Sequence, residues 1–300
     1  MNKWLDKAYQ TLLSKETKER GERVILGIAL ASFLIHLLLI YLSKWNIVLS
    51  NSESSLLKNP IAAIYTPFSF ILVYEVYLLI YYLPRSITIY INKQYEIITL
   101  IIIRRLFKDL SALELTPDWF KNSNDLLFTY DLIASLVLFF LLFLFFRQSR
   151  KSSAEGRKLS DLPDEIRRFV NFKKVLATIL VPILFALASY TLIHWVYGTF
   201  NEPNLIAYSF KNINNVFFDE FFTVLIIVDV ILLLLSFFHT DQFYKVIRNS
   251  GFIISTILLR VSFSVEGLTN TVLIVSAVSF GLLILTIHNQ YEKQGASDIL

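Results

Sequence analysis

Four ionisable residues fall where ionisable groups are costly: Glu75, Arg104, Asp229 and Arg260 each lie within a long apolar stretch. A charged side chain near the centre of a bilayer costs about 2.5–3.5 kcal/mol on insertion scales, so such groups turn inward and take partners. Glu75-Val76 recurs as Asp229-Val230. Ile97-Ile98-Thr99 ahead of Arg104 recurs as Ile253-Ile254-Ser255 ahead of Arg260. The economical expectation is one acid–arginine pair per half, Glu75 with Arg104 and Asp229 with Arg260, because a guanidinium can donate two parallel hydrogen bonds to a carboxylate. Arg105 has no counterpart, since Val261 stands in its place, and Asp131 is its expected partner. Two chemistries are open to these pairs: they clamp a helix bundle, or they line a hydrated route for ions or protons.

The elements that must position these groups are membrane helices. Hydrophobic residues make up 55% of the chain and charged residues 17%, against about 25% charge in soluble proteins. That surplus of apolar side chains needs lipid as its solvent. Val24–Leu42 and Leu132–Phe146 carry no charge and Thr223–Phe238 only Asp229, over lengths near the ~20 residues that cross a bilayer. Eight spans are expected: Val24–Tyr41, Ile61–Leu83, Tyr95–Leu110, Leu126–Phe146, Val175–Val196, Val216–Phe238, Phe252–Val265 and Leu268–Ile287. The third and seventh are short and interrupted by arginine.

Self-comparison turns eight spans into two sets of four. LIASLVLFFLLFLFF from Leu132 aligns without a gap on LIVSAVSFGLLILTI from Leu273, pairing Ser135 with Ser276 and Phe139 with Phe280. Lys44-Trp45 after the first span matches His194-Trp195 after the fifth. An even number of spans leaves both repeats in one orientation, related by a pseudo-twofold axis along the membrane normal. The fold class expected is therefore an all-α integral membrane protein of two tandem parallel four-helix repeats. Its segments are an amphipathic stretch at 1–23, repeat 1 at 24–147, a basic linker at 148–174, repeat 2 at 175–288 and a tail at 289–300. In the first segment Trp4, Leu5, Ala8, Tyr9, Leu12 and Leu13 make one helical stripe ringed by lysines. Such a helix either lies on the inner membrane surface or packs on the cytoplasmic loops.

Charge sets the topology. Arg147–Lys174 holds nine Lys or Arg against four Asp or Glu, whereas Asp109–Asp125 holds four acids against Lys121 alone. Positive charge retained inside places both termini and the basic loop in the cytoplasm, with a bacterial inner membrane as the expected location. Most of the net charge of +4 lies in that loop, so insertion explains it better than nucleic-acid binding does. The charge-dense Met1–Arg23 has no cleavage motif, and the first span is expected to stay as a signal anchor.

Other chemistry finds no support. There is no cysteine, hence no disulfide, thiolate metal site or Cys nucleophile. His36, His194, His239 and His288 share no metal-ligand spacing, and G-x-S-x-G, P-loop and G-x-G-x-x-G motifs are missing. No enzyme activity, metal or cofactor is expected. Neither a selectivity-filter run nor a sensor-type arginine at every third position is present. Tyr65-Thr66-Pro67 and Ser189-Tyr190-Thr191 either line a cavity or satisfy backbone groups near Pro67 and Pro182. The leading expectation is an ion channel or ion-conducting pathway built around the midplane charges. The alternative is a non-conducting anchor or effector subunit, docking a cytosolic protein at 147–174. The partners expected are the lipid bilayer, a further copy of the chain, and that cytosolic protein.

Overall fold

The computed structural model describes residues 3–45, 60–110, 123–152, 164–201, 206–238, 243–262, 265 and 267–297. These residues form helices α1 (Lys3–Leu12), α2 (Lys15–Lys44), α3 (Tyr65–Tyr82), α4 (Ile87–Leu110), α5 (Ser123–Ser152), α6 (Asp164–Asn201), α7 (Ile206–Phe237), α8 (Phe243–Ser262) and α9 (Leu268–Ser297), with a 3-10 turn at Pro60–Ile64 before α3. Among the described residues there is no strand.

Among the described residues five segments are long and apolar enough to cross a membrane: Lys3–Lys44, Asp125–Arg150, Ile166–Tyr190, Glu220–Phe237 and Leu268–Gln294. The chain is a membrane protein. α2 and α5 present large apolar side chains outward, among them Leu30, Leu38, Leu136 and Phe140, which only a hydrocarbon solvent makes favourable. The other three expected spans fall to α3, α4 and α8. α3 is a shorter apolar helix. α4 carries Lys93, Glu96, Arg104 and Arg105, while α8 carries Lys245, Arg248 and Arg260. These two charged helices lie inside the bundle: Tyr95, Ile97, Phe252, Ser255 and Leu259 are all buried.

Local chemistry sets the boundaries. The Ser14 side chain caps α2 by accepting from the Thr17 amide at 3.0 Å, which turns the chain between α1 and α2. Gly267, at φ +70°, makes the turn between α8 and α9, a backbone conformation disfavoured for residues with a Cβ. Helices run past the spans foreseen for them. α5 continues to Ser152 and α6 starts at Asp164, so the 148–174 linker is helical at both ends, and 153–163 lie outside the described residues. Residues 46–59, 111–122 and His239 lie outside them too, and with them most of the acidic connection.

α2 packs on α3, α3 on α4, α4 on α5, α6 on α7, α7 on α8 and α8 on α9, and further contacts join the first part of the bundle to the second. α5 packs along α9, α4 touches α8, α3 touches α6, and α1 lies on α6. The stripe on α1 is thus spent partly on protein. Leu13 is buried in the core, the Tyr9 ring lies 5.5 Å from the Lys174 ammonium, and Tyr77 Oη donates to the Leu12 carbonyl at 2.9 Å. Trp4, by contrast, remains 74% exposed.

Candidate functional site

α4 is the spine of the polar interior. Successive residues of an α-helix point about 100° apart, so Lys93 and Gln94 leave α4 toward different neighbours. Lys93 Nζ lies 3.4 Å from Glu75 Oε2 on α3 and 2.6 Å from Glu96 Oε2 one turn on. Gln94 Nε2 donates to Asp229 Oδ2 on α7 at 3.0 Å. Both acids therefore have partners other than the arginines expected for them. Lys93 stands about three turns before Arg104 on the same helix, and an ammonium carried there reaches Glu75 instead. Asp229 is held by a neutral amide of the other half. Arg260 lines a small cavity together with Asp229, and Arg104 is buried.

Arg105 and Asp131 do meet. Arg105 Nη2 donates to Asp131 Oδ1 at 2.7 Å, and Nε lies against Oδ2. Arg105 Nη1 also donates to Asn270 Oδ1 at 2.6 Å, and Thr271 Oγ1 donates to Asp131 Oδ1 at 2.8 Å. This node ties α4, α5 and α9 together toward the C-terminal end of α4.

Two cavities flank Asp229. The larger, about 690 Å³, lies at the end of the bundle formed by the α3–α4 turn, the starts of α4, α6 and α8, and the end of α7. Among the described residues four cations line it, Arg85, Lys173, Lys174 and Arg248, and one acid, Asp229. Lys173 is only 6% exposed, donates to the Arg85 carbonyl at 3.1 Å and lies close enough to Asp229 for their charges to interact. Arg248 donates through Nε and Nη2 to Asn249 Oδ1 and through Nη1 to His288 Nε2. The Tyr90 hydroxyl is buried within electrostatic reach of Gln94 and Asp229, yet completes no hydrogen bond. The smaller cavity, about 20 Å³, continues beyond Asp229 between Gln94, Ile98, Phe222, Thr256 and Arg260. Asp229 is the residue common to both linings.

Around these cavities the bundle is tightly locked. Tyr95 Oη lies 2.7 Å from Ser255 Oγ, which donates to the Ala277 carbonyl at 2.6 Å. Gly281 lets the Tyr95 phenol through, since a Cβ there would occupy the space of its oxygen. Tyr95 also packs on Phe145 at 4.9 Å, and Phe145 on Phe252 at 5.8 Å, between ring centroids.

Two histidines make hydrogen bonds within the bundle. His36 is bonded to Thr66, joining α2 to α3. His288 serves Arg248. Among the described residues no three His, Cys, Asp or Glu side chains converge on a point that could hold a metal ion. Sequence reasoning missed Lys93, Gln94, Tyr90, Lys173 and Arg248. Lys93 and Arg248 fall in connections between the expected spans and Lys173 in the basic linker, and a neutral amide or phenol carries no signal of burial. Comparison of the chain with protein-family models, with curated proteins and with solved structures finds no match.

Proposed function

We propose that the chain is an ion-conducting membrane protein whose route runs between α4, α7 and α8, with Asp229 as the constriction. The observation that carries this reading is the pair of cavities with Asp229 common to their linings. A polar floor with space on both sides is what a closed conduction route requires, and buried charges commonly mark such routes. The excess of cations in the larger cavity favours anions over cations at that end, since a low-dielectric cleft of one sign concentrates the opposite charge.

In the proposed architecture α2–α5 and α6–α9 are two parallel four-helix repeats, giving eight spans. Two features support it. Equivalent helices pair across the halves, α4 with α8 and α5 with α9. Gln148 and Asn289, which occupy the same place in the alignment of the fourth and eighth spans, also bond to each other, Asn289 Nδ2 donating to Gln148 Oε1 at 3.2 Å. Contact between equivalent residues is the signature of a twofold axis. In this reading the larger cavity opens to the cytoplasm, with both termini, in a bacterial inner membrane. The protein has no enzymatic role, and its partners are lipid and further copies of itself.

The test is reconstitution in liposomes under voltage or pH gradients. Ion flux that changes in Asp229→Asn at unchanged folded yield supports the proposal, and no flux of any small ion under either gradient sinks it.

A further inference from the structure

The lining of the larger cavity has a composition that conduction alone does not explain. Lys173 and Arg248 are drawn into the protein, yet the hydrogen bonds they make go to neutral acceptors: the Arg85 carbonyl, Asn249 and His288. Asp229 acts on the buried Lys173 and Glu292 on the half-buried Arg248 through charge alone, and cations withdrawn from water without an anionic hydrogen-bond partner are costly. Arg248 keeps two of the five N–H donors of a guanidinium unused, and Lys173 two of its three. Tyr90 adds a buried hydroxyl with no hydrogen bond. The lining also carries apolar side chains, Ile91, Phe169, Leu232 and Ile253, with the Phe169 ring 5.1 Å from the Lys173 ammonium.

We propose that this cavity is a receptor for a phosphate group carrying an apolar body, with Lys173, Arg248 and Arg85 binding the phosphate and Ile91, Phe169 and Ile253 packing the body. A tetrahedral oxyanion takes hydrogen bonds from several donors at once, which suits two converging cations and a hydroxyl better than a planar carboxylate does. The volume is that of a site for a medium-sized ligand and far exceeds a bare phosphate. Such a ligand comes either from a membrane phospholipid or from a soluble organophosphate. The inference rests on the cavity and is independent of whether ions cross.

The experiment is calorimetric titration of the purified full chain in a neutral detergent with dihexanoyl phosphatidic acid, hexyl phosphate and inorganic phosphate. The expected result is saturable binding of an amphiphilic phosphate at least tenfold tighter than inorganic phosphate. Arg248→Met should weaken it tenfold or more, and Ile91→Trp, which fills the cavity and keeps every charge, should abolish it. Because Arg248 also supports its neighbours, the exposed Arg85→Gln gives a second reading, a several-fold loss without change in thermal midpoint. Binding of dihexanoyl phosphatidic acid alone assigns the lipid source; comparable binding of hexyl phosphate assigns the soluble one. No saturable binding, equal affinity for inorganic phosphate, or affinity unchanged in both Arg248→Met and Ile91→Trp overturns the proposal. Flux without binding sinks this inference alone, and binding without flux sinks conduction alone.

Discussion

Glu75 and Asp229 occupy matched places in the two halves of the chain and live in different surroundings. Glu75 has a lysine ammonium from its own half at 3.4 Å, and Lys93 is shared with Glu96. Asp229 has a neutral amide from the other half at 3.0 Å and space on two sides. The same α4 turn serves both acids, one through Lys93 and the other through Gln94. Glu75 and Lys93 form a close ion pair within one half, whereas Asp229, bonded to the Gln94 amide of the other half and within charge reach of Lys173, stands beside space that something can enter. The contrast teaches that duplicated polar positions are assigned their roles by the donor opposite them, not by the acid itself.

The largest effect should come from disturbing the register on which both sites depend. Gly281→Val drives a side chain into the space of the Tyr95 phenol. Overpacking of this kind usually costs 1–3 kcal/mol, and with the Ser255 bond lost as well we expect about 3 kcal/mol or more. It would be read as loss of monodisperse protein in detergent; a fully folded variant would show α4 free to shift. Next comes Lys93→Met, which strands Glu75. Breaking a buried pair costs about 3–5 kcal/mol, and partial exposure of this one lowers the expectation to about 2 kcal/mol. The double variant Glu75→Gln/Lys93→Met should recover most of that in thermal unfolding. Failure to recover would mean that Lys93 acts mainly through Glu96.

Arg105→Lys keeps the charge but forfeits the two-point grip on Asp131, for about 1–2 kcal/mol. Its effect should be additive with Lys93→Met, because the two nodes share no partner; strong coupling between them would contradict separate sites. The smallest stability change is expected for Asp229→Asn, under about 1 kcal/mol, because the amide oxygen still accepts from Gln94. The same variant should change ion flux while Glu75→Gln leaves it unaltered. Equal flux changes in the two would erase the distinction between joint and constriction.

Much of this is legible in residue type and position: membrane insertion, the apolar faces of α2, α5, α6, α7 and α9, and the Arg105–Asp131 contact. The expectation that Glu75 pairs with Arg104 and Asp229 with Arg260 rests on depth, and depth leaves rotation open; the structure sets Glu75 against Lys93 and Asp229 against Gln94. Gln94 and Tyr90 escaped notice because neutral polar residues are common at helix ends, and nothing in their spacing marks them as buried.

The axial position of each polar group is written in the residue order, because a helix rises a fixed ~1.5 Å per residue and an apolar run fixes where it meets lipid. Which groups face each other is settled only in the packed bundle. That depends on the rotation of each helix and on which neighbour it packs against, set by shape: a phenol passing Gly281, and α4 wedged between α3, α5 and α8. Those contacts turn Lys93 to Glu75 and Gln94 to Asp229, and open the cavity beside one acid of the two.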